Sequence, residues 1–442
     1  MGLIHWSHQR VLTAVVLALV LFLAGCGVHS AAPPDPMPVV TIPQVALPTP
    51  NAFDYDVKAG TALVDRDKIE DALSATRSLT YTLAQKEELV RENAQVLRLV
   101  RAGFAFPFVS DESRTGNAAI RNYSKIRRIA RLLKLEGKVE EAKGDWGAAV
   151  GSDLDIVRLG EDLPHGASES GWLDSLLCQG SGQRPLWALI PRLTAPQARA
   201  AARRLEAIEA HHTPFVLVMQ QEEWSGQASL LVRLAKPNWR QAMLDNELSG
   251  VINGSSENTL RAILWTALRR STRRSLFDTY TRYREEFVRS ARAPYAAHVP
   301  IKRVPLDPDD MLGFFVFKMD PYKSGQFRDA GSQAQNALLL TALALRAYLL
   351  EHRKAPTTLD ALVPGYLSKV PRDPFALSGP LHYRPAGVQY VLYSIGPDGR
   401  DDHGTAIYDP AKPAPVRAGS IDQRYVVMET SKGDIVAGVN LF

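Results

Sequence analysis

The feature that most constrains the fold is a helical pattern near the end of the chain that is apolar on almost every side. It covers residues 334–350, and Thr341 and Arg346 are among its few polar positions. A helix with one apolar stripe needs one packing partner, but a helix that is apolar all round must be covered on two sides. Two strand-like runs follow it, at 381–383 and 389–394, and supply one cover as a small antiparallel sheet. We expect the second cover to come from a helical domain earlier in the chain.

That helical domain is predicted to cover residues 58–293. From Arg66 to Arg101 the chain contains neither Gly nor Pro, and Leu79, Leu83, Val90 and Leu97 mark one face of a helix. A capping-box pattern at Thr194 and Gln197 starts another helix. The predicted fold class is therefore mainly α, with a helical domain followed by a small α+β module at 328–442.

One turn in the helical domain resembles the second half of a tetratricopeptide repeat. The residues that carry this resemblance are Gly144, Asp145, Trp146 and Ala149. Gly permits the turn, Asp145 can cap the following helix, and Trp146 can fill the gap between the paired helices. Only one such unit is clear, so the prediction is a helical hairpin and not a repeat array.

The first residues of the chain are typical of an export signal. Residues 11–23 are apolar except for Thr13, and as a helix they would reach about 20 Å, short of the ~30 Å of a bilayer core. The run ends in Leu23-Ala24-Gly25-Cys26, which resembles the lipobox of bacterial lipoproteins. The resemblance implies removal of residues 1–25 and lipid on Cys26. Gly27, which stands where Asp would retain the protein in the inner membrane, implies the outer membrane, facing the periplasm.

The segment that follows, residues 26–57, is predicted to be a proline-rich tether. Seven prolines lie between Ala31 and Pro50, a density that excludes a helix and favours polyproline II. We interpret it as a semi-rigid stalk, and the alternative is an unstructured segment with no spacing role. A second proline-punctuated stretch, 294–327, is a connector that contains the apolar run 311–317.

Cysteine content and charge exclude several classes of protein. The chain has two cysteines, which rules out a disulfide-stapled scaffold, a cysteine-built zinc site and an iron–sulfur cluster. If Cys26 carries lipid, Cys178 has no partner and is a small buried hydrophobe, although a nucleophilic role stays open if a basic group lies beside it. The net charge of +5 is small for 442 residues and argues against nucleic-acid binding.

The C-terminal module resembles the globular head of the major pseudopilin of type II secretion systems. The long helix is followed by residues 352–356, 359–367 and 371–375, then by the two strands and by a loop rich in Asp and Gly. The resemblance implies a long helix on a small antiparallel sheet, and a calcium-binding loop. The processing site and the apolar start of a pseudopilin are absent before the helix. We therefore infer that the module shares the pseudopilin fold but does not assemble into a pilus.

Three carboxylates of that loop form the candidate metal site. Asp398, Asp401 and Asp402 could bind calcium, with backbone carbonyls and water completing the six to eight oxygens that this ion takes. The alternative is a solvated acidic turn in which Asp and Gly satisfy the backbone geometry. No other cofactor is expected.

No catalytic constellation is visible. His211-His212 and Glu222-Glu223 are adjacent pairs, so neither pair presents both side chains on one helix face. Metalloprotease, serine-hydrolase and phosphate-loop motifs are absent. A basic stretch could contact anionic lipid, although a solvated helix face is the simpler interpretation; it comprises Arg121, Lys125, Arg127, Arg128, Arg131 and Lys134.

Three functional hypotheses follow. The sequence favours a lipid-anchored envelope protein that binds a protein partner as a scaffold component of a secretion or envelope assembly, without catalysis. The second hypothesis is an envelope hydrolase whose site forms only in three dimensions, which a deep pocket with perturbed carboxylates would support. The third is a solute-binding lipoprotein, a class that usually shows the alternating strands and helices that this chain lacks.

Overall fold

The structure, a computed structural model, describes residues 35–43, 45–74, 76–110, 120–248, 271–299, 324–415 and 421–442. The export signal, the lipobox with Cys26 and the apolar run 311–317 lie outside these ranges. Within them the chain is mainly helical, with one three-stranded antiparallel sheet. This confirms the predicted fold class at the level of a mainly α chain with a small sheet.

Helices α1 to α6 are Ala52–Ala62, Arg66–Leu73, Leu83–Glu92, Ala94–Gly103, Ile120–Lys143 and Trp146–Asp162. Helices α7 to α12 are Glu169–Leu189, Ala195–Glu209, Phe215–Leu234, Trp239–Leu248, Arg273–Ala291 and Gly325–His352. Strands β1 (His382–Ala386), β2 (Gln389–Ser394) and β3 (Ile435–Val436) form the sheet with β2 in the centre. No helix in the described ranges combines the length and the apolar character that a membrane crossing requires.

The chain divides into two compact units. The smaller contains residues 1–41, 229–283 and 303–319, and the larger contains 42–228, 284–302 and 320–442. In the smaller unit Asp35 accepts hydrogen bonds from Arg273 Nη1 at 2.8 Å and from the Trp239 indole at 3.2 Å. The tether segment therefore makes side-chain contacts at Asp35, and α1 begins at Ala52, inside the range assigned to the tether.

In the larger unit, α12 has two covers. On one side it packs against α8 and α7, and on the other it faces β2. Leu338, Leu339, Leu343 and Leu345 are fully buried in one hydrophobic core that includes residues of α6, α7, α8 and the sheet. This confirms the expectation that an all-round apolar helix is shared between the helical region and the sheet.

The single helical face predicted between Arg66 and Arg101 is wrong. The segment breaks into α2, a 3-10 turn and then α3 and α4, and Leu79 in the turn is 87% exposed. The break has a local cause, because Thr82 and Gln85 form a capping box that starts α3 anew. A second break follows at Asn93, whose side chain bonds to the backbone of Val64.

Helices α5 and α6 form a hairpin at the turn singled out in the sequence. Gly144 has φ +77°, which glycine adopts without strain, and the Asp145 carboxylate caps α6 by accepting the Ala148 N–H at 3.0 Å. Ala149 is buried and its carbonyl lies close to Gly137 of α5. Trp146 packs against the core cluster that contains residues of α6, α7, α8 and α12.

Candidate functional site

Five polar side chains meet where α6, α7, α8 and α12 come together, and we call them the junction cluster. Glu161 comes from α6, Glu209 ends α8, His212 follows α8, and Asp329 and Asn336 lie on α12. Glu161, Asp329 and Asn336 are buried, whereas Glu209 and His212 are half-buried. Because α12 is covered on both sides, its polar residues must find partners inside the protein.

The geometry links these groups into a chain. Gln183 donates to the Asn336 carbonyl oxygen at 2.8 Å, and the Asn336 amide donates to Glu161 Oε1 at 2.9 Å. His212 Nδ1 lies 3.2 Å from Glu161 Oε2, and His212 Nε2 lies 3.8 Å from Asp329 Oδ1. Among the described atoms, His212 Nε2 has no hydrogen-bond partner. The cluster therefore orients the imidazole through Nδ1 and leaves Nε2 near the Asp329 carboxylate but without a hydrogen bond among the described atoms.

Burial and charge raise the pKa values of three side chains in the junction cluster. Burial lowers the pKa of His212, but the hydrogen bond to Glu161 and the charges of Asp329 and Glu209 outweigh it and raise that pKa to about 9. Burial raises the pKa of Asp329 to about 6, and burial together with Glu161 raises the pKa of Glu209 to about 8. At neutral pH the His212 imidazole is therefore mostly charged and the Glu209 carboxyl mostly protonated, so the cluster contains groups able to donate and accept protons.

Of the three carboxylates of the acidic loop, the candidate calcium ligands, two have separate hydrogen-bond partners. Asp401 accepts from the Tyr393 hydroxyl at 3.0 Å and from the His403 N–H at 2.9 Å, and its other oxygen lies 3.3 Å from His382 Nδ1. Asp398 accepts the Arg400 N–H at 3.2 Å. Two of the three carboxylates thus already accept hydrogen bonds from protein donors, as in an acidic turn that satisfies its own backbone.

A fourth carboxylate, Asp434, lies beneath this loop and was missed in the sequence. It is fully buried and accepts the N–H groups of Asp402 at 3.2 Å and Gly404 at 2.6 Å. Nothing in the sequence near Asp434 indicates this role, because its partners lie some thirty residues earlier. In the ranges that the structure describes, no group of three or more His, Cys, Asp or Glu is arranged to hold a metal ion.

The cysteine singled out in the sequence lies inside the protein. Cys178 is 2% exposed and belongs to the hydrophobic cluster formed by helices α1 to α7. Burial, followed by the nearby Asp174, raises the pKa of the thiol to about 12. Its thiolate is therefore scarce at neutral pH, which argues against the nucleophilic alternative.

The two adjacent pairs behave as separate residues. His211 is exposed, and only His212 joins the junction cluster. Glu222 forms an ion pair with Arg284 at 3.6 Å, whereas Glu223 is buried and has its pKa raised to about 6, mainly by burial. The structure thus places one member of the histidine pair, His212, in the junction cluster. It does not bring the two glutamates together in a shared site.

The basic stretch on α5 is only in part a solvated face. Arg127 binds Asp174 of α7 at 2.5 Å, Arg131 pairs with Glu70 of α2, and Lys134 reaches the Ser181 hydroxyl of α7 at 3.4 Å. The solvated-face interpretation is wrong for Arg127 and Lys134, which are half-buried against α7, whereas Arg131 stays exposed together with its partner Glu70. The side chain of Arg121 lies outside the described residues.

Comparison with known proteins yields no relative for this chain. No protein-family model, no curated protein and no solved structure matches it. The lipoprotein, pseudopilin and tetratricopeptide resemblances therefore rest on the residues that carry them, and any function must be argued from the geometry described above.

Proposed function

We propose that this protein is a lipid-anchored component of the bacterial envelope that binds a protein partner as a scaffold, through a pseudopilin-like C-terminal module. The anchor is lipid on Cys26, and the module is α12 with the sheet. The proposed site of action is the periplasmic face of the outer membrane, in a secretion or envelope assembly. Catalysis forms no part of this role.

The observation that carries the proposal is the shared core around α12. A long helix that is buried on two sides cannot exchange partners as the helix of a filament subunit does. Arg346 strengthens the docking by donating to the carbonyls of Pro191 and Leu193 at 2.8 and 3.1 Å. The module is thus held rigidly by the helical region, as a binding surface requires.

The outer surface of the module offers apolar side chains to a partner. Leu377 is 71% exposed, Val388 68% and Met428 52%. Contiguous apolar patches are typical of protein contact sites, whereas single exposed apolar side chains are ordinary on protein surfaces. We propose that these three side chains take part in the partner contact.

The lipid anchor is tested by replacing each cysteine in turn. Cys26→Ser is expected to release the protein from the membrane fraction and to abolish incorporation of labelled palmitate. Cys178→Ser is the matched control, because that thiol is buried, and it should leave both readouts unchanged. Unchanged fractionation of Cys26→Ser would overturn the anchor and with it the proposed location.

A second candidate, an envelope hydrolase, is favoured by one observation, the junction cluster. An imidazole held by a buried carboxylate, whose other nitrogen has no hydrogen bond among the described atoms, is a group able to act as an acid or base. The test is hydrolysis of ester, amide and glycoside substrates by the wild type and by His212→Gln. Turnover that is lost in His212→Gln and kept in His211→Gln would establish this candidate, and no turnover by the wild type would remove it.

A further inference from the structure

A cavity of about 360 Å³ opens between α2, α3 and α5, away from the junction cluster. That volume corresponds to roughly a dozen water molecules and lies within the range of small-molecule sites. Its walls combine apolar side chains, including Leu73 and Leu83, with three lysines, Lys86, Lys134 and Lys138.

Two of the three ammonium groups form no ion pair with an acidic residue in the described ranges. Lys138 pairs with Glu141 at 2.8 Å. In contrast, Lys134 has only the Ser181 hydroxyl at 3.4 Å, and Lys86 forms no ion pair with any described residue. Lys86 and Lys134 are half-buried, and partial burial of a cation without an anion beside it is unfavourable, so the cavity favours a negatively charged occupant.

Asp153, a buried carboxyl that interacts with Lys134, offsets this positive charge only in part. Asp153 on α6 is 2% exposed, and burial followed by Glu141 raises its pKa to about 8, so it is mostly protonated at neutral pH. Burial, with Lys138 next, lowers the pKa of Lys134, and Arg184 adds a further positive charge. An anion beside Lys134 would relieve both the repulsion and the burial cost.

The apolar part of the wall is accessible from outside. Leu83 is half exposed, and Leu79, next in the chain to the wall residue Ser78, projects into solvent. Exposed leucines beside partly buried lysines match a molecule that carries an anionic group at one end and hydrocarbon at the other.

We propose that this cavity binds an amphiphile with an anionic head group, carboxylate or phosphate monoester, and an alkyl chain. Lys86 and Lys134 bind the head group, and Leu73 and Leu83 contact the chain. Free fatty acids and monoacyl phosphates share this chemistry. The inference does not depend on the lipid at Cys26, because the cavity is built by residues of the helical region alone.

The test is calorimetric titration of the full chain, held in phosphatidylcholine nanodiscs, with four probes: octyl phosphate, octanoate, inorganic phosphate and octanol. Octyl phosphate, octanoate or both are expected to bind. A comparison of their affinities shows which head group, phosphate or carboxylate, the cavity prefers. Inorganic phosphate and octanol should bind roughly tenfold more weakly or not at all, since each lacks one half of the recognised structure.

Variants separate the site from background partitioning into the disc. Lys134→Gln and Lys86→Gln should each weaken binding of the anionic probes by roughly tenfold, the value of one charge-assisted contact. Lys58→Gln is the matched control, an exposed lysine of α1 without an ion pair among the described residues, and should bind as the wild type does. Equal binding of octanol and octyl phosphate, or unchanged binding in both cavity variants while their thermal unfolding matches the wild type, would overturn the proposal.

Discussion

At the scale of single residues, neighbours in the sequence have different roles because of what surrounds them. His211 and His212 are indistinguishable as a dipeptide, yet the first is exposed and the second lies between two buried carboxylates. Burial lowers the pKa of His211, whereas the carboxylates outweigh burial and raise that of His212. The difference lies in the partners: His211 interacts with Arg158 as well as with Asp162 of α6, whereas His212 is bonded to Glu161 and lies near Asp329 of α12.

The His212 environment predicts a pH dependence of stability. A histidine whose pKa is raised from 6.5 to about 9 on folding stabilises the protein fully below pH 6.5, and this contribution is lost as the pH rises through 9. Glu209 has its pKa raised to about 8 on folding. In the unfolded chain it loses its proton at a lower pH, so it too makes the folded protein less stable as the pH rises toward 8. We expect the free energy of unfolding to fall by roughly 3–5 kcal/mol between pH 6.5 and 9.

Urea denaturation at several pH values across this interval measures the effect. His212→Gln should flatten the decline, and His211→Gln, the exposed neighbour, should preserve it. Parallel profiles for the wild type and His212→Gln would show that the imidazole does not carry the dependence.

At the scale of elements, the crossing of α6 and α7 is set by glycines. A Cβ on Gly182 would lie 2.5 Å from the backbone oxygen of Asp153, and one on Gly160 would lie 2.9 Å from the backbone nitrogen of Gln179. These glycines let the two helix backbones approach closely, which positions Glu161 of the junction cluster on the side facing α12. By contrast, a Cβ on Gly180 of the same helix would meet only the end of the Arg184 side chain, at 3.9 Å.

This contrast yields a prediction for α7. Gly182→Ala should lower the free energy of unfolding by about 1–3 kcal/mol, because backbone atoms cannot move aside as a flexible side chain can. Gly180→Ala should be neutral or stabilise by up to about 1 kcal/mol, since alanine is the better helix former. Thermal denaturation of the two variants distinguishes them, and equal melting temperatures would contradict the proposed close approach.

At the scale of the whole molecule, the core around α12 makes the C-terminal module dependent on the helical region. The buried leucines of α12 contact residues of α7 and α8 as well as the sheet. Polar contacts follow the same interface, as in the bonds from Gln183 to Asn336 and from Arg199 to Glu351. Removing the helical region would expose both the leucines and their polar neighbours.

A fragment of residues 325–442 is therefore expected to aggregate or to bind a hydrophobic dye when it is expressed alone. The full chain, measured in parallel by gel filtration and dye fluorescence, is the control. A monomeric fragment with cooperative unfolding and no dye binding would contradict the shared core, and would reopen an independent role for the module.

Much of the local structure was predictable from the sequence. The capping box at Thr194 starts α8, and the apolar pattern after Ala334 lies in α12. The division at Thr82 was missed although its capping residues were visible, because an uninterrupted run of helix-forming residues outweighed the cap in the prediction. Of the junction cluster, only His212 was a candidate, since Glu161, Glu209, Asp329 and Asn336 belong to ordinary helical patterns.

The sequence by itself determined the mainly helical class, the α5–α6 turn and the need for two covers on α12. These properties depend on residues within a few positions of one another, whose preferences for helix, turn or burial act locally. Only the tertiary structure decided which polar groups meet: His212 and Glu161 are 51 residues apart, and Asn336 and Glu161 are 175 apart. Burial and charge pairing arise from packing at those separations, and they set the pKa values on which the proposed chemistry depends.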